Sequence, residues 1–288
     1  MENRASQYES IDEKKGSPDS PLVSIITQVL NGIKFLEICI QSVLNQSYPY
    51  IEHIFIDGGS TDGTVDVLSS YQAKYPDRIR FISEPDKGPA EAWNKGWAMA
   101  KGDIFGWLGS DDTYEPDDVQ TVVEFFRANP EAYFVFGDCN IINEKGEIIG
   151  KRETRDFDLE EIINGATIAS PSSAFYKREV IEKVGLMDTR LQEGTEFDYW
   201  IRVGKVFPVH RIDKVLSNFR AHKEKKFFGS KGAITRAFRQ DFIVSRRYGG
   251  RLFSPLARRY YRFVIIDWLR PVLGFTYPLI KKVLRLRE

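Results

Sequence analysis

Apolar runs alternating with amphipathic stretches constrain this chain more than any other feature of its sequence. Residues 22–27 (LVSIIT) form a β-branched run, then comes Asn31-Gly32, then Leu36, Ile40, Val43 and Leu44 at helical spacing. That reads as strand, turn and helix over 33–44. The unit recurs with IEHIFID (51–57) before a helix near 63–75, RIRFIS (78–83) before a helix near 89–100, and DIFGWL (103–108) before a helix near 116–128. AYFVFG (132–137) closes the series. Strands separated by helices cross over to pair in parallel, so the expected architecture is an α/β sheet with helices on both faces. In such sheets ligands sit beyond the carboxyl ends of the strands. Chemistry is therefore expected in the loops after the second, third and fourth strands: Asp57-Gly-Gly-Ser-Thr-Asp62-Gly, Glu84-Pro-Asp86-Lys-Gly88 and Gly109-Ser-Asp111-Asp112.

Past Asp138 the alternation stops. Residues 141–149 read as a hairpin around Asn143 to Gly146. A strand at 173–177, short helices near 178–184 and 195–205 and extended chain at 208–221 follow, and from about 230 the pattern is helical. The first 20 residues are polar and lack an apolar core segment, which predicts an unstructured lead-in and no signal peptide. Two cysteines, Cys39 and Cys139, cannot form a disulfide framework and lie in no zinc-type cluster, which suits a reducing cytosol. Zero net charge conceals an asymmetry: residues 223–288 carry 17 Lys/Arg against 4 Asp/Glu, leaving 24 against 37 before them. A basic tail behind an acidic body predicts an anionic surface as the tail's partner.

Asp111 and Asp112 directly follow an apolar strand, a placement that suits Mg²⁺ or Mn²⁺ shared with a substrate's phosphates. Ser110-Asp111-Asp112 equally suits a turn and helix cap before Pro116. The loop after Asp57 offers backbone amides but lacks the G-x-G-x-x-G order of dinucleotide folds and the G-K-[ST] of a P-loop, so neither NAD nor ATP hydrolysis is favoured. In GTEFDYWIRVG, Phe197, Trp200, Ile201 and Val203 are the expected buried stripe of a helix. Glu196 at its entrance is either a first-turn acid stabilised by the dipole or a general base. His53 and His210 lie within strands and read as structural. His222 follows Phe219-Arg220-Ala221 where it can face a metal or a phosphate.

The order VSIIT…NG, IDGGSTDGT, EPDKGPAEAWNKGWAMAKGDIFGWLGSDD, EFDYWIR and FRAH closely resembles the family 2 glycosyltransferases over about 21–225. The resemblance implies the GT-A fold, a Rossmann-like mixed sheet with helices on both faces, here followed by a basic helical extension over 226–288. It implies a nucleotide-diphosphate sugar donor and an acceptor hydroxyl, with inversion at the transferred carbon. Thr27, Asp57, Asp86, Asn94 and Asp111 would bind the nucleotide-sugar, with Asp57 on the base and Asp111 toward ribose or metal. Asp112, with His222, would hold the divalent ion, Mg²⁺ or Mn²⁺. Glu196 occupies the place of the family's catalytic Asp, with Asp198 the other candidate base. Gln28 and Leu30 stand where the family more commonly has Pro and Tyr.

Two rival readings are a sugar nucleotidyltransferase, against which the absence of an Arg-containing Gly-rich loop after the first strand counts, and a non-catalytic glycan- or membrane-binding module. Expected partners are a glycan or lipid-linked acceptor and an anionic membrane met by the C-terminal region, with no nucleic acid. Residues 246–270 interleave arginines with aromatic and aliphatic side chains, which suits an interfacial helix. The best apolar stretch, 263–280, contains Asp267, Arg270, Pro271 and Pro278 and is a poor membrane span. The expected location is the cytoplasm, peripheral at the inner face of the cell membrane, in cell-surface polysaccharide or glycolipid assembly.

Overall fold

A computed structural model describes residues 20–165, 170–222 and 233–273; the expected lead-in, apart from its last residue, lies outside them. The chain divides into two compact units, one drawn from 1–159 and 167–222, the other from 160–166 and 223–288.

The first unit is built on an eight-stranded sheet. In chain order the elements are β1 (Val23–Val29), α1 (Ile33–Leu44), β2 (Ile51–Asp57), α2 (Thr64–Lys74), β3 (Ile79–Ser83), α3 (Pro89–Met99), β4 (Ile104–Trp107) and α4 (Asp118–Ala128). There follow β5 (Phe134–Ile142), β6 (Ile148–Arg152), a 3₁₀ turn Pro171–Ser173, β7 (Ala174–Lys177), α6 (Arg178–Val184), α7 (Thr195–Gly204) and β8 (Val209–Arg220); α5 (Leu159–Ile163) begins where the second unit begins. Strands β3, β2, β1 and β4 run parallel, the crossover outcome expected of strands joined through helices. β7 then pairs antiparallel with β4, and β5 antiparallel with β7. β6 continues antiparallel along β5, whose other edge takes β8 in parallel. The expected closing strand at 132–137 extends into the hairpin, and the antiparallel pairings of β7, β5 and β6 make this the mixed sheet that the resemblance implies.

Helices cover both faces because alternate strand residues point to opposite sides. Val23, Ile25, Val43, Val119, Val122, Phe126, Phe175 and Leu216 make one apolar cluster beneath α1 and α4. On the other side α3 packs so closely that a side-chain carbon on Gly96 would come within 2.5 Å of Ile26 Cγ2, so only glycine fits there. Trp97 and Trp107 both donate their indole N–H to the Tyr176 hydroxyl, which fastens α3 and β4 to β7. The second unit contains α8 (Ala233–Arg247) and α9 (Pro255–Leu273), with Phe238 stacked on Phe263 and Phe242 on Tyr260 at 5.2 and 5.4 Å.

Candidate functional site

The loops at the carboxyl edge of the parallel strands are tied to one another. Asn31, the single non-glycine residue with positive φ (52°) among the described residues, donates its N–H to Ser60 Oγ and accepts from the Thr61 N–H through Oδ1. The next two amides, of Gly32 and Ile33, donate to Thr64 Oγ1 and Asp62 Oδ2. Asp57, fully buried at the end of β2, accepts from the amides of Gly59 and Ser60 at 3.0 Å and from the hydroxyls of Ser83 and Ser60. Its carboxylate fixes the turn that Gly59, at φ 90°, makes possible. Asp86 accepts from the Gly88 amide, and its Oδ2 stands 3.0 Å from where a side-chain carbon on Gly58 would sit, beside Leu30 at 3.5 Å. Bare backbone at Gly58 is thus flanked by an apolar side chain and a carboxylate.

Thr27 and Asn94 occupy more internal positions. The Thr27 hydroxyl is buried against His53 Nε2 at 2.9 Å. Burial, with Arg78 nearby, pushes the His53 pKa down to about 3, so that imidazole is neutral. Asn94 holds the backbone of Met187 at both its N–H and its carbonyl, 3.0 and 3.1 Å, pinning the segment that leads to α7.

After β4 the two acids diverge in environment. Asp112 is buried, accepting from Ser172 Oγ at 2.9 Å and from the Arg220 amide at 3.0 Å. Asp111 is partly open and lies 2.8 Å from His222 Nε2. Gly109 makes room for both: a side-chain carbon there would meet Asp112 Oδ2 at 2.8 Å and Asp111 Oδ1 at 3.0 Å. Arg220, buried, donates from Nε to the Asp111 carbonyl and from Nη1 to those of Asn143 and Glu144, and its guanidinium lies 4.8 Å from the Phe35 ring. The same ring meets His222 at 4.9 Å. Cys39 lies below; burial first, then the charges of Asp112 and Asp111, push its thiol up far enough to make it inert as a nucleophile.

Asp111 and His222 fit a divalent cation. Bonds of about 2.1 Å to an octahedral ion place neighbouring ligands about 3 Å apart, close to the observed spacing. Among the described residues no three His, Cys, Asp or Glu side chains converge as a metal cage. Such a cage is unnecessary where substrate phosphates and water supply the remaining ligands. His222 Nδ1 is buried with no hydrogen-bond partner among the described residues.

The α7 entrance brings the remaining acids. Gly194 starts the helix at φ 66°, and Glu196, half-buried in the first turn, accepts from Thr195 Oγ1 at 2.9 Å. Gln192, in the preceding loop, lies within 3.1 Å of where a Gly88 side chain would begin, so this loop borders the one carrying Asp86. Asp198 points into the protein and pairs with Arg202 Nε at 2.8 Å. Trp200, Ile201 and Val203 form the expected buried stripe. Tyr199 is fully buried, against Trp97 and Trp107, whereas Phe197 is only half-buried. Sequence reasoning assigned no role to Phe35, Ser172 or Arg220; the nearest signal was an arginine two residues before His222 at the end of an extended segment.

The sequence profile described as glycosyl transferase family 2 matches residues 24–185. Chondroitin synthase of Escherichia coli is 30% identical over 204 residues, covering 71% of this chain and 29% of that protein. A PGL/p-HBAD biosynthesis glycosyltransferase of Mycobacterium bovis is 26% identical over 263 residues, 87% of this chain and 98% of the relative. An uncharacterized glycosyltransferase of Nostoc, alr2836, is 28% identical over 252 residues, 80% and 78% of the two chains. Among solved structures, the mannosyltransferase PcManGT from Pyrobaculum calidifontis, in complex with GDP-Man and Mn²⁺, superposes with a TM-score of 0.62 at 21% identity, covering 86% of this chain and 72% of that one. Staphylococcus aureus TarS 1–349, in complex with UDP-GlcNAc, gives 0.62 at 13% identity, covering 83% and 71%. At these identities the likeness is one of fold, and that fold is GT-A.

Proposed function

The chain belongs to glycosyltransferase family 2, and from that premise we propose that residues 21–225 transfer a sugar, with inversion, from a nucleotide-diphosphate donor held by a divalent ion to an acceptor hydroxyl. The observation that carries the reading is the Asp111–His222 pair at 2.8 Å, with Asp111 partly exposed at the loop edge, backed by buried Asp112 and Arg220. Mn²⁺ in the PcManGT complex supports a divalent metal here.

Asp111 and His222 would hold the ion, rather than the Asp112 and His222 expected from the sequence, because buried Asp112 already accepts from Ser172 and the Arg220 amide and so aligns the loop that presents Asp111. The ion, when bound, neutralises the leaving diphosphate. Leu30, the bare backbone at Gly58, and Asp86 form the donor pocket; Asp57 shapes its turn, and Thr27 and Asn94 support it from inside. Glu196 accepts the proton of the acceptor oxygen, being the half-buried acid at the α7 entrance while Asp198 is engaged with Arg202. A single base acting opposite the leaving group, without a covalent intermediate, inverts the transferred carbon.

The names of the Escherichia coli and Mycobacterium bovis relatives support a polysaccharide or glycolipid acceptor. None of the described helices is long and apolar enough to cross a membrane. The basic region 226–288 instead brings the catalytic domain to an anionic membrane surface, at its cytoplasmic face. The test is a thermal-shift panel of nucleotide-sugars with and without Mn²⁺. A donor at a hundredfold excess over its Kd adds about 2.7 kcal/mol, a rise of several degrees in Tm. No shift with any donor sinks the reading, and a donor shift or turnover undiminished in excess EDTA removes the metal.

A further inference from the structure

The second unit carries an apolar face that its own packing leaves open. Helix α9 turns Tyr260 and Phe263 toward α8 and buries Leu256, Ala257 and Ile266. On the other side Val264, Ile265 and Trp268 are 38%, 55% and 76% exposed, while Tyr261 sets its ring edge-on to Phe242 of α8 at 5.6 Å. The spacing of Val264, Ile265 and Trp268, one and three residues, makes a single stripe along the helix. Arg258 and Arg262 are exposed beside it, and Phe253, in the turn before the helix, is 81% exposed. Water is a poor solvent for this stripe, and burying it is favourable in proportion to its apolar area.

The charge decides what covers it. A second copy meeting stripe to stripe would bring two sets of arginines together, which is repulsive. A nucleic acid backbone would satisfy the arginines but leave Val264 and Ile265 against phosphates. An anionic bilayer satisfies both, since phosphate headgroups take the guanidinium groups while the indole and aliphatic side chains enter the acyl boundary. We propose that this face of α9 lies in the plane of an anionic lipid surface, with Ile265 and Trp268 inserted and Arg258 and Arg262 on the headgroups. This deepens, and rests on, the membrane-proximal role proposed above by naming the side chains that make the contact. It is independent of the donor chemistry.

Tryptophan emission tests it in the full chain. Trp93, Trp97, Trp107 and Trp200 are at most 7% exposed, so Trp268 alone reports a change of solvent. Vesicles of phosphatidylcholine with phosphatidylglycerol should shift the emission to the blue and protect it from acrylamide, and phosphatidylcholine alone should do so weakly. Trp268→Phe should still co-sediment but lose the blue shift. The double variant Ile265→Glu with Trp268→Glu should lose co-sedimentation by about ten-fold or more. Each of Arg258→Gln and Arg262→Gln should cost roughly five-fold, with high salt mimicking their combined effect. No binding to anionic vesicles, or binding indifferent to all these substitutions, overturns the proposal. So does a light-scattering mass that halves when the stripe is charged, which would assign the face to a second copy. Donor-induced thermal shifts measured on the same variants should be unchanged, so failure of the membrane contact and failure of glycosyl transfer are read separately. Should the double Glu variant not fold, the arginine variants and Trp268→Phe decide.

Discussion

Glu196 and Asp198 sit two residues apart on the same helical turn, and the structure predicts opposite consequences for neutralising them. Asp198→Asn removes one partner of a buried pair, since the Asp198 and Arg202 side chains are 4% and 22% exposed. Leaving a buried charge unpaired costs about 3–5 kcal/mol when burial is complete. Arg202 retains the Val184 carbonyl at 3.1 Å, the face of Tyr199 and some water, so we take about 2 kcal/mol. For a unit of this size that is roughly 4–8 °C in Tm. Glu196→Gln removes a first-turn acid whose dipole interaction is worth only about 0.3–1 kcal/mol, yet it removes the proposed base, a loss of about 10²-fold or more in turnover. The assay pairs melting curves with release of nucleoside diphosphate at saturating donor. Donor affinity in Glu196→Gln should remain near that of the parent, as expected when a group acts in the transition state. The reasoning fails if Asp198→Asn keeps its Tm and loses turnover while Glu196→Gln remains active, because the base would then be Asp198.

Two further outcomes follow from groups outside the α7 turn. Asp118, buried at the start of α4, has its pKa pushed up to about 7, first by burial and then by Glu115 and Asp117, against the Glu115 amide that donates to it. Between about pH 4 and 7 the folded chain therefore holds a proton that the unfolded chain has released, and stability falls as pH rises through that window. Asp118→Asn should flatten the dependence of Tm on pH and stabilise above about pH 7, on the order of 1 kcal/mol; an unchanged slope contradicts this. Arg220→Lys cannot reproduce a fork that reaches three carbonyls. It should cost about 2–3 kcal/mol and weaken the metal-dependent donor shift, and a parental melting curve with a parental donor shift would show that lysine suffices.

The alternation of apolar runs and amphipathic stretches, being local, made the βα units, the loops worth searching and their acids legible in the sequence alone. Periodicity encodes which residues share a face, and Gly and Asp clusters encode where the chain turns. The motif order carried the family. What the sequence did not reveal was which acid goes where, because that depends on neighbours distant in the chain. Asp112 meets Ser172 from 60 residues away, and Asp111 meets His222 from 111 residues away. Adjacent in sequence, the two acids became different objects because one faces the inside of the sheet edge and the other its rim. On α7 the periodicity put Trp200, Ile201 and Val203 inside, but only the tertiary structure shows Tyr199 packed against Trp97 and Trp107, Asp198 inward on Arg202 and Glu196 at the helix mouth. The aromatic cluster that takes Tyr199 is built by α3, β4 and β7 together, so no local rule contains it.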